Sequence, residues 1–420
     1  MSLNSLATAA VTLAGLTVLA IGDEAIDAAA SGPVEQRSLA PVALAPKVDA
    51  DAASSLTSFA LFSGAVDPNS EAALAFFDRD VTVAFIGGSI TVGARIPRLG
   101  KWSYLVGQHL DQRFRSATVL DYSYPGTGTY FAAHRLDEEM GDAKPDIAFI
   151  EFAVNDEGRS ESEVDAYTDA VVAQLRKRNP DVLIAYVAVT RADQKRWKNS
   201  GALSKTADYA RSYSEMAGVQ FIDAGTGLWN AVNNGDYTIG ELLPDGVHPS
   251  PVGHAIYAAE VDRQLDTWLD ALPRSSAATA PLIDNTNLAS ATMWDGNFAT
   301  GCAVAPQVGV DRYLSNALTC NRGQVFAINF TGTALGMVQA VTTDSGQLSC
   351  VLDGKAQKPI DFYYAIANDP PPKLVRELFS DLPDGRHELV CVAQSSKNNP
   401  DRGRIVIGRF LTNSGTIPRR

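Results

Sequence analysis

Apolar and polar positions alternate in a regular order along the first two thirds of the chain. Short, nearly continuous apolar runs occupy residues 81–86, 118–122, 146–152, 182–189 and 219–223. Stretches in which apolar residues recur at helical spacing lie at 102–115, 130–140, 163–178, 204–217 and 251–269. Apolar strands that alternate with helices are typical of a parallel sheet with helices on both faces. The pattern therefore predicts an α/β domain with right-handed crossovers over residues 56–272.

The pattern changes after Leu272. Residues 273–279 are rich in proline, serine and alanine and predict a linker. From about residue 283 the chain consists of short stretches of alternating polarity, separated by turn signals such as Asp384-Gly385. The clearest of these stretches are FAINF at 326–330, GQLSCVLDG at 346–354, HELVCVAQ at 387–394 and RIVIGRFL at 404–411. We therefore expect an antiparallel β-sandwich domain over residues 283–415.

Residues 1–55 resemble neither predicted domain. The apolar stretch from Ala7 to Ile21 is too short to span a membrane and has the length of a signal-peptide core. The stretch is atypical, because no Lys or Arg precedes it and Asp23 and Glu24 follow at once. The rest of the segment is rich in Ala, Pro and Ser and predicts a leader or linker. We expect a secreted or periplasmic protein with no integral membrane span.

The overall charge indicates which classes of partner the protein can bind. Of the 420 residues, 45% are hydrophobic and 20% are charged, and the formal net charge is −13. Proteins that bind the phosphate backbone of nucleic acids need a basic face, so we expect no nucleic-acid partner. One local basic segment can be interpreted in two ways. We favour a solvated loop, and the alternative is a rim that receives an anionic polysaccharide. The segment contains Arg191, Lys195, Arg196, Lys198 and Lys205.

All four cysteines lie in the predicted β-sandwich, at Cys302, Cys320, Cys350 and Cys391. No pair has the C-x-x-C spacing of a zinc or redox site. Three disulfide connectivities are possible, and we favour Cys302–Cys320 with Cys350–Cys391 because both join near neighbours in a small β domain. The alternative is four reduced cysteines in the core.

Residues with chemically useful side chains follow the predicted parallel strands. Ligands in an open parallel sheet bind where the strands end. The segments at these positions are Gly87-Gly88-Ser89, Pro125-Gly126-Thr127-Gly128, Ala153-Val154-Asn155-Asp156 and, before the last helix, Asp245-Gly246-Val247-His248-Pro249. We therefore expect a serine, glycines, an asparagine, an aspartate and a histidine to converge on one edge of the sheet.

Each of these residue types has a role in acyl transfer. A serine hydroxyl such as that of Ser89 needs a base to take its proton, and His248 can be that base. Asp245, three residues earlier, can orient the imidazole. The oxyanion that forms needs aimed donors, which the Ser89 N–H, the Gly126 N–H and the Asn155 amide can supply. The arrangement predicts a serine hydrolase.

The four segments resemble the sequence blocks of the SGNH (GDSL-type) hydrolases. The serine block reads GGSIT, with Gly88 where the family has Asp, and the glycine block reads YPGTG. The asparagine block reads EFAVND, with Ala153 where the family usually has Gly, and the last block reads DGVHP. All four occur in the family's order, within about residues 81–270.

The resemblance implies a fold and a set of roles. The fold is a flavodoxin-like three-layer α/β/α domain. Ser89 is the implied nucleophile, Asp245 and His248 complete the catalytic triad, and Ser89, Gly126 and Asn155 form the oxyanion hole. No metal and no organic cofactor is implied.

Several other residues are candidates near this site. We expect Gly88, Trp102, Tyr130 and Val154 to line the substrate pocket, although Trp102 opens a helix and has packing in the core as its alternative. Glu151 ends the third strand and either hydrogen-bonds near the site or tunes His248. We interpret three further histidines as structural, namely His109, His134 and His254. The sequon at Asn329 falls in a predicted strand and receives little weight.

The sequence predicts an exported serine esterase. Together with the appended β-sandwich, it resembles bacterial carbohydrate acetylesterases, so we expect it to remove acetyl groups from a polysaccharide or another carbohydrate ester. The same triad serves a lipolytic or thioester hydrolase and a polysaccharide O-acetyltransferase. A non-catalytic glycan-binding protein is a further alternative, which the intact Ser89, Asp245 and His248 argue against. The β-sandwich is either a polysaccharide-binding module or a structural partner.

Overall fold

A computed structural model describes most of the chain. The described residues are 75–93, 96–194, 202–272, 288, 290–306, 311–341, 343–363, 373–413 and 416–417. The expected leader over residues 1–55 and the expected linker at 273–279 lie outside them. Among the described residues, no helix is both long and apolar enough to cross a membrane.

The first domain, described from residue 75 to residue 272, is built on a five-stranded parallel sheet. Its strands are β1 (Asp80–Gly87), β2 (Ser116–Asp121), β3 (Ile147–Glu151), β4 (Leu183–Ala188) and β5 (Gln220–Asp223). They lie in the order β2-β1-β3-β4-β5, with every neighbouring pair parallel. This is the flavodoxin-like order, so the predicted fold class is confirmed.

Helices cover both faces of this sheet. They are α1 (Ser89–Val92), α2 (Trp102–Arg113), α3 (Thr129–Met140), α4 (Glu161–Arg178), α5 (Lys205–Ala217), α6 (Ala224–Asn233), α7 (Ile239–Leu242) and α8 (Pro251–Ala271). Helices α3, α4 and α5 pack on one face, and α2, α6 and α8 pack on the other. Side-chain caps determine where several of these helices begin. Ser160 and Glu163 form a capping box on α4, and Ser250 caps α8 ahead of Pro251.

The second domain, described from residue 288 to residue 417, is a β-sandwich. Its strands are β6 (Thr292–Asp295), β7 (Ala303–Pro306), β8 (Asn316–Cys320), β9 (Val325–Thr331), β10 (Leu335–Ala340), β11 (Gln347–Leu352), β12 (Lys355–Ala356), β13 (Ile360–Asp361), β14 (Lys373–Phe379), β15 (Arg386–Gln394) and β16 (Ile405–Thr412). One sheet has the order β14-β10-β16-β8-β7, with β6 beside β16. The other has the order β12-β11-β15-β9, with β13 beside β11. All pairs of these strands are antiparallel, as predicted.

Two disulfides stabilise the sandwich, in the connectivity that the sequence favours. Cys302 is bonded to Cys320. Cys350 is bonded to Cys391, and these two residues lie directly opposite each other on β11 and β15. A disulfide stabilises a fold chiefly by restricting the unfolded chain, typically by about 2–4 kcal/mol.

The two domains share a continuous apolar core. Phe131 and Leu136 of α3 belong to the same buried cluster as Leu314, Val338 and Leu411 of the β-sandwich. Helix α3 also contacts strand β6. Moving the domains apart would expose this apolar area to water, at a cost of about 25 cal/mol per Å². The shared core therefore fixes how the second domain sits on the first.

Candidate active site

Ser89 lies on a tight turn between β1 and α1. The strand ends at Gly87, and Ser89 is the first residue of the helix. A Cβ atom added at Gly87 would lie 2.2 Å from the Thr91 Oγ1, and one added at Gly88 would lie 2.2 Å from the Asn155 Oδ1. A side chain at either position would therefore displace Thr91 or Asn155, and the half-buried Ser89 is presented at the end of the central strand.

His248 connects Ser89 to Asp245. The His248 Nε2 lies 2.8 Å from the Ser89 Oγ, and the His248 Nδ1 lies 2.7 Å from the Asp245 Oδ2. Since a carboxylate only accepts hydrogen bonds, Nδ1 is the protonated nitrogen and Nε2 is free to accept from the serine hydroxyl. The side chains of His248 and Asp245 are 43% and 40% exposed. The three groups form an open Ser–His–Asp relay.

Asp245 is held by the backbone of its own loop. Its Oδ1 accepts hydrogen bonds from the N–H groups of Val247, at 2.9 Å, and His248, at 2.7 Å. Burial acts to raise the pKa of Asp245, but the bonds from the His248 side chain and the two backbone groups outweigh it and lower the pKa. Gly246 allows the loop to turn, with a φ of +82°. Asp245 therefore stays ionised beside the imidazole.

Loops after β2 and β3 flank the serine turn. Gly126 lies in the loop after β2, is exposed and has a φ of +68°, which favours glycine. The half-buried Asn155 lies in the loop after β3, with its side chain against Gly88. Asp156 is buried and accepts a hydrogen bond from the backbone N–H of Thr129 at 3.1 Å, which caps α3. The two loops are thus tied to each other beside the strand ends.

Residues 85–256 match the model of the GDSL-like Lipase/Acylhydrolase family. The match lies within the first domain, which we refer to below as the GDSL domain, and it indicates a carboxylic ester hydrolase.

Two solved structures are similar to the chain over most of its length. One is a two-domain esterase active on acetylated mannans, co-crystallized with mannopentaose. It has a TM-score of 0.66 and 16% identity, with 80% of this chain and 91% of that chain covered. The other is a two-domain esterase active on acetylated mannans, with the same score and identity and with 81% and 93% covered. These likenesses show a shared two-domain fold. The comparison with curated proteins gave no match.

A buried polar layer lies beneath the serine turn of the GDSL domain. Glu151, at the end of β3, is 1% exposed, and its Oε2 accepts a hydrogen bond from the Thr91 Oγ1 at 2.7 Å. Burial raises the pKa of Glu151 to about 8, although bonds from Thr91 and the Gly88 N–H act in the opposite direction. Glu151 is therefore largely protonated at neutral pH. Its contacts are to the serine turn, which favours the first of its two sequence interpretations.

Glu151→Gln is expected to remove a pH-dependent loss of stability. The folded chain keeps a proton up to about pH 8 that an ordinary glutamate releases near 4.5. Stability from this group therefore falls as the pH rises through that window, by up to about 1.4 kcal/mol per unit. Thermal unfolding at pH 5 and pH 8 should show that the melting temperature of the variant, relative to that of the wild type, is higher at pH 8 than at pH 5. The exposed Glu215→Gln is the control, and a difference between variant and wild type that does not change with pH would contradict the assignment.

Two expected pocket residues of the GDSL domain are instead buried. Trp102 is fully buried and packs edge-on against Phe85, with ring centroids 5.3 Å apart. Tyr130 is 3% exposed and lies under the β-sandwich, where a Cβ added at Gly336 would be 2.3 Å from its hydroxyl. The structure therefore corrects both assignments, because neither ring faces a substrate. Gly88 lies in the serine turn, where it is buried, and Val154 is half-buried beside Asn155.

The three other histidines of the GDSL domain have structural contacts. The Nδ1 of His254 accepts a hydrogen bond from the Trp102 N–H at 3.3 Å, at the start of α2. Burial lowers its pKa to about 4, so it remains neutral. His134 lies 2.8 Å from the carbonyl oxygen of Tyr130, and burial likewise lowers its pKa to about 4. His109 lies 2.8 Å from Asp266 on α8.

Arg191, in the basic segment, is paired with acidic residues. Arg191 forms ion pairs with Glu157, at 2.6 Å, and with Asp193. Lys195, Arg196 and Lys198 lie outside the described residues, and Lys205 begins α5. Asn329 lies within strand β9. Arg191 is thus already neutralised by acidic neighbours.

Proposed function

We propose that the chain is a serine esterase that acts through an acyl-serine intermediate, with Ser89 as the nucleophile. His248 is the general base and general acid, and Asp245 holds the imidazole in the productive tautomer. One observation carries the proposal, the unbroken hydrogen-bond relay from Ser89 through His248 to Asp245 at 2.8 Å and 2.7 Å.

The reaction follows from this relay. The Ser89 Oγ attacks the ester carbonyl while its proton passes to the His248 Nε2. The tetrahedral oxyanion collapses, the bond to the alcohol breaks, and the alcohol leaves with the proton from His248. Water then attacks the acyl-serine, again giving a proton to His248, and the carboxylic acid and free Ser89 are restored. Asp245 stabilises the imidazolium at both stages.

The oxyanion hole in this proposal consists of the Ser89 N–H, the Gly126 N–H and the Asn155 side-chain amide. Ser89 begins a helix, so its N–H points out of the first turn. The Asn155 amide lies against Gly88, adjacent to the nucleophile. Gly126 has no side chain to obstruct its N–H. All three groups lie at the same edge of the sheet.

Asn155→Ala is expected to lower kcat by about 10²- to 10³-fold with little change in KM, because one donor to the oxyanion is lost. Steady-state kinetics on a small soluble acetyl ester measures both constants. The control is Asn233→Ala, at an exposed position at the end of α6. A wild-type kcat for Asn155→Ala would remove this residue from the oxyanion hole.

We propose an acetylated polysaccharide as the substrate class. The two-domain similarity to an esterase active on acetylated mannans supports this choice. The exposure of the His248 and Asp245 side chains is also suited to an ester group on a bulky polymer. An exported location fits such a substrate, and the two disulfides support it, since disulfides persist in oxidising compartments.

A panel of esters tests the substrate proposal. Acetylated oligosaccharides should be hydrolysed with a higher kcat/KM than lipid-like esters or thioesters with long acyl chains. The reverse order would support a lipolytic or thioester hydrolase. Product analysis with an acceptor glycan present should give free acetate, whereas acetylated acceptor would indicate an O-acetyltransferase.

A further inference from the structure

We infer that the Asp311–Tyr313 segment of the β-sandwich is a positioning element for the Gly126 loop of the active site. This role rests on the proposed oxyanion hole. It differs from glycan binding, because the segment acts on the reaction through Tyr124 and not through contact with a substrate.

Tyr124, two residues before Gly126, is the point of contact. Its backbone N–H donates to the carbonyl oxygen of Gly87 at 2.8 Å, so the loop is attached to the serine turn on one side. Its carbonyl oxygen accepts from the Thr127 Oγ1 at 2.8 Å, on the far side of Gly126. Any shift of Tyr124 is therefore transmitted to both flanks of Gly126.

The β-sandwich encloses the Tyr124 side chain. The Tyr313 ring lies edge-on to it, with centroids 4.9 Å apart, and the Arg312 guanidinium lies 4.6 Å from the centre of the Tyr124 ring. The Tyr124 side chain is also hydrogen-bonded to Asp311. Three consecutive residues of the second domain thus contact a single residue of the active-site loop.

Glu139 on α3 anchors this segment to the GDSL domain. It accepts hydrogen bonds from both Arg312 and the Tyr313 hydroxyl, and it also pairs with Arg135. Arg135 is fully buried and donates to the carbonyl oxygen of Tyr122 at 2.6 Å, at the start of the same loop. The Asp311–Tyr313 segment is therefore connected to residues 122–124 in two ways, directly through Tyr124 and indirectly through Glu139 and Arg135.

The surface of the β-sandwich is consistent with this role. Sugar-binding sites commonly use exposed aromatic rings, on which sugars stack. In the described part of the second domain, the exposed large hydrophobic side chains are Val304, Val325, Val351 and Leu374, and none is aromatic. The Tyr313 ring instead faces the GDSL domain, where it contacts Tyr124 and Phe131.

The test uses the full chain with two of the three contacts to the Tyr124 side chain removed, in the double variant Asp311→Ala/Arg312→Ala, which leaves the Tyr313 ring in place. We expect kcat on a small acetyl ester to fall about tenfold and KM to stay within about twofold, because a displaced donor weakens transition-state binding alone. The inhibition constant of a trifluoromethyl ketone, which forms an oxyanion adduct with a serine, should rise by the same factor. The melting temperature reports whether the variant is folded.

The matched control is Tyr167→Phe. The Tyr167 hydroxyl donates to Glu377 of the β-sandwich at 2.7 Å, so this variant loses an interdomain hydrogen bond that does not involve Tyr124. It should keep the wild-type kcat. Should the double variant fail to fold, Tyr124→Phe removes only the hydroxyl that bonds Asp311, and its kcat should fall about threefold.

Three results would overturn the inference. They are a wild-type kcat in both Asp311→Ala/Arg312→Ala and Tyr124→Phe (the loop variants), an equal loss of kcat in Tyr167→Phe, or a rise in KM of the loop variants with kcat unchanged. Asn155→Ala is measured alongside as the reference for the oxyanion hole. If Asn155→Ala loses activity and the loop variants do not, only the positioning role is wrong. If Asn155→Ala is fully active, the oxyanion assignment itself is wrong.

Discussion

Ser89→Ala is expected to lower kcat on an acetyl ester by about a million-fold, which is the size of loss seen when a serine nucleophile is removed. The substitution removes the Oγ that lies 2.8 Å from the His248 Nε2 and leaves the backbone N–H of residue 89 in place. The turn should be unaffected, because its shape depends on Gly87 and Gly88. The melting temperature should therefore match that of the wild type.

A second serine provides the control for this experiment. Ser212→Ala, on α5, makes the same chemical change away from the strand ends and should keep full activity. Activity in Ser89→Ala within about tenfold of the wild type would mean that another group attacks the ester. A large fall in melting temperature would mean that the serine turn contributes to folding.

Asp245→Asn is expected to lower kcat by about 10⁴-fold, and the geometry shows why an amide fails here. The Oδ1 of Asp245 accepts from two backbone N–H groups, so the amide oxygen of Asn must remain at that position. The amide NH₂ then faces the His248 Nδ1, where the carboxylate oxygen was. The imidazole must accept at Nδ1 and carry its proton on Nε2, and it can no longer take the proton of Ser89.

Asp193→Asn is the matched control for this substitution. Asp193 is an exposed carboxylate that pairs with Arg191, near the same edge of the sheet. Its variant should hydrolyse the ester at the wild-type rate. If Asp245→Asn also retained its rate to within about tenfold, the loop backbone alone would be sufficient to orient His248.

The parallel sheet could be predicted from the sequence because its strands are buried on both faces. Such strands are nearly continuous apolar runs, and β1 and β3 begin and end within one residue of the runs at 81–86 and 146–152. Helix α6 was not predicted. It begins directly after β5 and contains Gly225 and Gly227, which lower helix propensity, so packing against α8 determines its structure.

The convergence of the serine, histidine and aspartate could be predicted because each follows a strand or precedes a helix at a spacing that chemistry requires. The positions of the aromatic residues were harder to predict from the sequence. Trp102, Val106 and Leu110 recur every four residues, a signal for the buried face of α2 that favours the core position of Trp102. Tyr130 is covered by β10 of the second domain, a contact between residues about 200 positions apart that no local pattern reveals.

Covalent labelling of the serine tests the central claim most directly. The wild-type chain is treated with a fluorophosphonate, which reacts with activated serine hydroxyls, and the modified residue is located by peptide mass spectrometry. The account predicts one added phosphonyl group, on Ser89, and no labelling when His248 is replaced by alanine. An unmodified Ser89, or a label on a different residue in the wild-type chain, would contradict it.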